Sequence, residues 1–251
     1  MKKLPLPAGE HVMIHARTKG IATAANRSDY SAITNELLDA FRAASCKSIV
    51  VPTFTYSFTK SLRFSVSDSP SEVGRFSEEI RKLAGPSRRT VDPVFSVVDV
   101  DDFGWSKQMQ LDAFGEESLW VKWRELNAVI VNLDLPHIVA TQFHLIEKLA
   151  DVPYRFDKVF QGEIQDAAGQ TNPVDYNYYV RNLHIPSTWN RKLLESELAK
   201  AGVLNEFHWC GVRGIWFRAK DIEDVLCPIM RSDPGYLLDA TSEGSESGEG
   251  R

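Results

Sequence analysis

The stretch SAITNELLDAFRAASCKSIVVPTF, residues 31–54, determines the fold class that this chain is expected to adopt. Its first half carries apolar residues three and four apart, the spacing of an amphipathic helix, at Ile33, Leu37, Leu38 and Phe41. Its second half, 46–54, is a β-branched run that stops at Pro52, as a buried strand does. A helix that leads directly into a buried strand is typical of largely parallel sheets covered by helices.

The segments on either side continue this alternation. HVMIH (11–15) is a strand candidate ahead of the helix, and VFSVVDV (94–100) and NAVIVNL (127–133) are two more strand candidates. A further helix is predicted over 141–150. Residues 1–150 are therefore predicted to form an α/β core, with a central, largely parallel or mixed sheet flanked by helices.

The segment SPSEVGRFSEEIRKLAG (69–85) carries the signals of another helix. Ser69 is the predicted N-cap, Pro70 stands at the first helical position, and Glu72 completes a capping box. Gly85 is expected to end the helix.

The pattern changes after residue 150. VPYRFDKVFQGEIQ and TNPVDYNYYVRNL predict a long β-hairpin over 152–183, followed by a helix over 190–202, two strands within 204–219 and a last helix over 220–231. Residues 151–235 are assigned to a smaller, mostly antiparallel part of the same domain. Residues 236–251, ending in SEGSESGEGR, are expected to be a disordered tail.

Composition limits the classes of function. The 251 residues carry a formal net charge of -5, which argues against nucleic acid as the main partner, since binding it requires clustered Lys and Arg. We find no signal-peptide core and no apolar run long enough to span a membrane, so the expected location is cytoplasmic. The three cysteines show no metal-binding spacing, so no metal site is expected.

TQFHLIE (141–147) contains a histidine and a carboxylate on one helix face. If Thr141 is the N-cap, Glu147 lies one turn beyond His144 and can contact it. The pair fits a general base with an orienting carboxylate, because the helix N-terminus favours neutral imidazole and the carboxylate sets its tautomer. The alternative is an ordinary histidine beside a solvated glutamate on an amphipathic helix. The local sequence alone favours this alternative, because a His/Glu pair at this spacing is common.

Other polar segments adjoin predicted strands. VPTFTYSF (51–58) places Thr53 and Tyr56 beyond the carboxyl end of a strand, where open α/β sheets bind ligands. RRTVDPVFSVV (88–98) offers arginines that could bind phosphate, or a solvated charged turn. The aromatic and basic residues of the hairpin could stack on a sugar or a base, or simply cover a half-buried face. A nucleic-acid module is the weakest of these interpretations, given the net charge.

Taken in order along the chain, six short segments resemble the motifs of the aminoglycoside 3-N-acetyltransferase family. They are HART (15–18), VPTFT (51–55), SEVGRFSEEIRK (71–82), RTVDPVFS (89–96), GEES (115–118) and FHLIE (143–147). The family includes relatives that act in sugar and antibiotic biosynthesis, and the hairpin looks closer to those than to resistance enzymes.

This resemblance implies transfer of an acetyl group from acetyl-CoA, a cosubstrate, to the amino group of an aminoglycoside or amino sugar. It implies that His144 is the base and Glu147 its partner. The residues that it implies for the CoA pocket are His15, Ala16, Arg17, Thr18, Arg89, Thr90, Ser96 and Ser118. For the acceptor, the residues that we predict are Thr53, Tyr56 and Asp92.

The chain also departs from the family pattern. The family's His-Ser-Ser reads His15-Ala16-Arg17, which replaces hydroxyls by a cation, and its His-Pro reads Asp92-Pro93. These differences motivate an alternative, a catalytically degenerate relative that binds a sugar or a protein. The acceptor and any acyl group other than acetyl stay open, and a homodimer is possible.

Overall fold

A computed structural model describes residues 3–107 and 109–239. Its strands are β1 (His11–Ala16), β2 (Ser48–Pro52), β3 (Arg63–Ser65), β4 (Val97–Asp99), β5 (Val129–Leu133), β6 (Arg155–Gln165), β7 (Thr171–Arg181), β8 (Asn205–Trp209) and β9 (Val212–Arg218). Its α-helices are α1 (Thr18–Ala24), α2 (Tyr30–Ala43), α3 (Phe58–Ser61), α4 (Arg75–Ala84), α5 (Leu119–Glu125), α6 (Gln142–Leu149), α7 (Arg191–Lys200) and α8 (Ala219–Ser232).

The main sheet has the strand order β4-β2-β1-β5-β9-β8. β1 lies in its centre and runs parallel to both β2 and β5, with Val12 opposite Ile49 and Val129. The outer strands β4, β9 and β8 pair in the antiparallel sense. The predicted α/β class and mixed central sheet are confirmed. The parallel centre brings the carboxyl ends of β1, β2 and β5 to one edge, where ligands bind in open α/β sheets.

Alternate residues of each central strand enter opposite cores, as the twofold period of a strand requires. On β1, Val12 and Ile14 pack with α1, α2 and α4, whereas Met13 packs with α5, α6 and α8 on the other face. Two large side chains of α5, Trp120 and Trp123, are fully buried in that second core. The second face is the one that positions α6 and its histidine.

A second, smaller sheet has the order β3-β6-β7. β6 and β7 form the predicted hairpin, in register from Arg155 opposite Arg181 to Gln165 opposite Thr171. Gly169 takes a positive φ of 86° in the connecting turn, a conformation that glycine adopts without steric cost. Phe160 and Tyr176 lie on the face of the hairpin that is buried in the core next to α6. The open end of the hairpin, where Arg155 lies opposite Arg181 in the strand register, is therefore near that helix.

The helix predicted over 69–85 starts later than expected. α4 begins at Arg75 after Gly74, and 66–74 form turns and bends. The Glu72 amide donates to Phe54 O at 2.8 Å, and the carboxylate of Glu72 accepts from the Ser57 amide. Contacts to the loop after β2 therefore replace the predicted capping box, whereas the predicted end at Gly85 is correct.

The C-terminal segment differs from the prediction in two respects. β8 and β9, which were assigned to the smaller antiparallel part, extend the main sheet. The tail predicted from residue 236 is wrong for 236–239, because Leu237 is buried and the Asp239 amide donates to Thr188 O. Residues 240–251 lie outside the described part of the chain. None of the described helices is long and apolar enough to cross a membrane.

Candidate active site

The site is built on α6, which follows the loop leaving the carboxyl end of β5. Asn132, near the end of β5, holds this loop by two hydrogen bonds. Its Nδ2 donates to Val139 O at 2.9 Å, and its Oδ1 accepts from the Val139 amide at 2.6 Å. Thr141 then takes the N-cap position, as predicted. The third residue of the helix is His144, so β5 fixes where its imidazole lies.

His144 and Glu147 contact each other directly. His144 Nδ1 lies 2.8 Å from Glu147 Oε2. The Glu147 side chain is fully buried, whereas 29% of the His144 side chain is exposed. An ionised carboxylate can only accept, so Nδ1 must carry the proton. In this tautomer Nε2 is left with a free lone pair, which is what a general base requires.

Two further groups hold the buried carboxylate of Glu147. Arg155 on β6 forms an ion pair with it, with 2.6 Å between Nε and Oε2. Trp189 Nε1 donates to the other oxygen, Oε1, at 3.0 Å. Both oxygens therefore have partners, as a buried charge requires. We did not predict Arg155 and Trp189, because 8 and 42 residues separate them from Glu147 in the sequence.

The pKa values of the pair favour a neutral base beside an ionised partner. Burial lowers the pKa of His144, and the charges of Arg155 and Arg181 lower it further, against the opposing effect of Glu147. Burial alone would raise the pKa of Glu147, but its contacts with His144, Arg155 and Trp189 bring it below the ordinary value. At neutral pH the imidazole can accordingly accept a proton.

Three adjoining cavities lie at this site, and the His144 side chain lines two of them. The central cavity, of about 410 Å³, is lined by His15, Ala16, Tyr56, His144 and Arg181 among others. The hairpin cavity, of about 680 Å³, shares Tyr56, His144 and Arg181 with it and extends along β6 and β7. The β1 cavity, of about 430 Å³, shares Ala16 and continues past residues 17–19. His144 therefore faces the junction of the central and hairpin cavities.

A family model and several solved structures match the chain. The model of aminoglycoside 3-N-acetyltransferase matches residues 13–230. The chain belongs to the aminoglycoside 3-N-acetyltransferase family. It is thus an acyltransferase by family, in agreement with the resemblance of its motifs. No curated protein matches the sequence.

The solved structures share the fold of this acetyltransferase. Aminoglycoside acetyltransferase AAC(3)-Xa has a TM-score of 0.73 at 18% identity, with 94% of this chain and 90% of that chain covered. The apoenzyme of AAC(3)-IVa gives 0.70 and 19%, with 96% and 89% covered. AAC-IIIb, in a binary structure with CoASH, gives 0.72 and 16%, with 95% and 94% covered. At these identities the likeness concerns the fold.

Among the residues predicted for the site of this acetyltransferase, some reach the cavities with His144. His15 and Ala16 line the central cavity, Arg17 and Thr18 line the β1 cavity, and Tyr56 lies between the central and hairpin cavities. Burial lowers the pKa of His15 to about 4, so it is neutral at physiological pH. Arg17 is paired with Asp134 at 3.3 Å.

The predicted site residue Arg89 has a different environment. Its side chain is buried, and its guanidinium donates to acceptors from three neighbouring segments: Thr53 O (2.7 Å), Thr55 Oγ1 (3.0 Å), Val66 O (3.2 Å), Ser69 O (2.6 Å) and Ser96 Oγ (3.0 Å). All of its donor nitrogens are used inside the protein. Arg89 thus joins the residues after β2, the 66–74 loop and the segment before β4, and lies away from the three cavities.

Thr53, Thr90 and Ser96 belong to the same buried network. Thr53 Oγ1 donates to Ser96 O at 3.1 Å, Ser96 Oγ donates to Thr53 O at 2.8 Å, and Thr90 Oγ1 accepts from the Val97 amide. Their hydroxyls hold the segment before β4 against the end of β2. The structure does not bring these three residues together with His144.

Asp92 and Ser118 also have internal partners. Asp92 Oδ1 accepts from the Phe95 amide at 2.7 Å and from Tyr176 Oη at 2.8 Å, and burial raises the pKa of this carboxyl to about 6. Ser118 caps α5 by accepting from the Val121 amide. It lines a separate surface cavity with Met109.

No group of His, Cys, Asp and Glu in the described residues could hold a metal ion.

Arg89→Met is expected to destabilise the fold by at least about 3 kcal/mol, because several buried carbonyl oxygens lose their donor and each costs about 1–3 kcal/mol. Denaturant unfolding measures the change. Arg88→Met is the control, because the half-buried Arg88 forms only a long ion pair with Asp102, at 3.8 Å. It should lower the free energy of unfolding by less than about 1 kcal/mol. A stable Arg89→Met protein with weakened CoA binding would instead support the predicted phosphate contact.

Proposed function

We propose that this acetyltransferase moves an acetyl group from acetyl-CoA to the amino group of an aminoglycoside or amino sugar, with His144 as the general base. The observation that carries the proposal is the contact between His144 and Glu147. The His144 side chain, whose Nε2 keeps a free lone pair, lines both the central and the hairpin cavity. A base at such a junction can meet a donor from one side and an acceptor from the other.

The proposed reaction is a direct transfer in a ternary complex. His144 Nε2 removes a proton from the acceptor ammonium, and the freed amine attacks the thioester carbonyl carbon. A C–N bond forms, the C–S bond breaks, and the second amine proton is lost as the amide is completed. The products are the acetylated amine, CoA as a thiol and one released proton. The Glu147 carboxylate stabilises the imidazolium while it carries the proton.

We place the donor at the end of the site that contains His15, Ala16, Arg17 and Thr18, where the central and β1 cavities meet. The binary structure of AAC-IIIb with CoASH shares the fold and supports CoA as the carrier. The predicted donor contacts at Arg89, Thr90, Ser96 and Ser118 are not included, since these side chains have internal partners.

The acceptor is placed in the hairpin cavity, with Tyr56 at the boundary between donor and acceptor. Structures of AAC(3)-IVa with a gentamicin and of AAC-VIa with sisomicin support an amine acceptor for this fold. Closeness to the sugar-biosynthesis relatives and a homodimer stay predictions. The degenerate alternative is not supported, because the base and its carboxylate lie within contact distance of each other.

A thiol-release assay over a range of pH tests this function. We expect release of free thiol from acetyl-CoA that depends on added amine, with matching formation of the acetylated product by mass spectrometry. Because protonated His144 cannot accept a proton, kcat/KM should fall as the pH decreases, with a midpoint below the ordinary pKa of histidine, since burial lowers the pKa of His144.

The amine panel for this assay contains glucosamine, glucosamine 6-phosphate and kanamycin. Thiol release that is independent of all three amines, together with absent CoA binding in calorimetry, would show that the chain is no acetyltransferase and favour the degenerate alternative.

A further inference from the structure

The hairpin cavity is lined by basic side chains. Arg155, Lys158, Arg181 and His184 contribute to its wall, and Arg191 adds a further cation to the central cavity. In the described part of the chain, neither cavity has an aspartate or glutamate among its lining residues. A chain with a formal net charge of -5 therefore presents only positive charge where the acceptor is placed.

Several of these cations lack an internal counter-ion. Within residues 3–107 and 109–239, neither Lys158, Arg181 nor Arg191 takes part in an ion pair, and all three are exposed. Lys158 lies over the ring of Phe160, at 4.9 Å from its centroid. Among the described residues, most other arginines form an ion pair with a carboxylate or, like Arg89, are buried in hydrogen bonds, whereas unpaired lysines such as Lys47 and Lys107 also occur away from the two cavities.

The hairpin register adds an independent observation. Arg155 on β6 lies directly opposite Arg181 on β7, and like charges in such a pair destabilise a sheet. Glu147 neutralises Arg155, whereas the charge of Arg181 is left without compensation. Local rules are broken in this way mainly at functional sites, and a bound anion would remove the conflict.

Aromatic side chains lie beside these cations. Tyr56, Phe156, Phe160 and Tyr178 line the hairpin cavity, and Tyr56 and Phe156 are 43% and 47% exposed. Exposed rings of this kind offer a flat surface to the apolar face of a sugar. Cations and rings together suit a sugar that carries a negative group.

We infer that the acceptor of this acetyltransferase is an amino sugar that carries a phosphate or diphosphate group, and that Arg181 and Lys158 bind that group. The inference rests on the proposed function and narrows its acceptor class. Arginine binds phosphate through two parallel charge-assisted hydrogen bonds. A polycationic aminoglycoside would bring its charges against Arg181 and Arg191 with no carboxylate in the lining to receive them.

The experiment is calorimetry on the wild-type protein with and without saturating CoA, which binds but cannot acetylate. Glucosamine 6-phosphate is expected to bind at least about 10-fold more tightly than glucosamine, as expected for a charge-assisted contact, and kanamycin more weakly than either. The preference should decrease as salt is raised, because the contacts are exposed.

Variants assign the effect to residues. Arg181→Ala and, separately, Lys158→Ala should each remove most of the preference for the phosphorylated sugar and leave CoA affinity unchanged. Arg181→Glu should reverse the order and favour the unphosphorylated amine. Lys192→Ala, which removes an exposed cation on α7 outside the cavity linings, is the control and should bind all ligands as the wild type does.

Each contrary result overturns the inference in a distinct way. Equal binding of the two glucosamines, or tighter binding of kanamycin, would exclude a phosphorylated acceptor while the proposed acetyl transfer stands. Weaker CoA binding in Arg181→Ala would assign these cations to the phosphates of CoA instead. Absent CoA binding by the wild type would contradict the proposed function, and the comparison of the sugars would still be read from the titrations without CoA.

Discussion

His144→Ala is expected to lower kcat for acetyl transfer by about 10²–10⁴-fold, the usual contribution of a general base. The variant lacks the only imidazole that is held by a buried carboxylate among the described residues. CoA affinity should be unchanged, because His144 is proposed to act on the acceptor. Steady-state thiol release and calorimetry with CoA measure the two quantities.

His208→Ala is the matched control for that variant. His208 is an exposed histidine on the edge strand β8, outside the cavities, and its removal should leave kcat unchanged. Undiminished kcat in His144→Ala would exclude His144 as the base, and a loss of CoA binding would indicate a general disruption of the site instead.

Arg155→Met is expected to destabilise the protein by about 3–5 kcal/mol, the usual cost of leaving one partner of a buried ion pair without the other. The Arg155 and Glu147 side chains are 3% and 0% exposed, so water cannot replace the guanidinium. Removing this charge should also raise the pKa of His144, since Arg155 lowers it. Urea unfolding measures the first effect, and the pH dependence of kcat/KM measures the second.

The double variant Arg155→Met/Glu147→Gln separates the pair from its surroundings. Because it removes both charges, it should recover part of the stability lost in Arg155→Met but none of the activity. If Arg155→Met lowers the free energy of unfolding by less than about 1 kcal/mol, the pair behaves as a solvent-exposed salt bridge does. This result would contradict its buried role.

Most strands and helices could be predicted from local patterns. The apolar runs of β1, β2 and β5 are buried from both faces, and buried parallel strands read as continuous apolar segments. The apolar spacing that predicts α2 and the length of the β6–β7 hairpin could likewise be read from the local sequence. The contribution of β8 and β9 to the main sheet depends on pairing between β5 and β9, which sequence patterns do not reveal.

The late start of α4 and the position of Arg89 have a common origin. Since 66–74 are not helical, their carbonyl groups need donors from elsewhere. Arg89 supplies them to Val66 O and Ser69 O, and Arg81 Nη1 supplies one to Ser67 O. The sequence signals of a capping box suggested a helix there, and Arg89 consequently looked free to bind phosphate.

The candidate site was predictable only in its local part. His144 and Glu147 are three residues apart, so helix geometry alone brings them together. Arg155 lies on β6, Trp189 lies in the segment before α7, and Arg181 lies on β7. Only the tertiary fold brings these three residues together. The basic character of the hairpin cavity arises in the same way, from residues that are dispersed along an acidic chain.

The most direct test of the central claim is rescue of His144→Ala by added imidazole. If Nε2 of His144 accepts the acceptor's proton, thiol release by the variant should increase in proportion to the concentration of free-base imidazole, while His208→Ala and the wild type show no increase. A turnover of His144→Ala that does not respond to imidazole, although CoA and the amine still bind, would contradict the assignment of His144 as the general base.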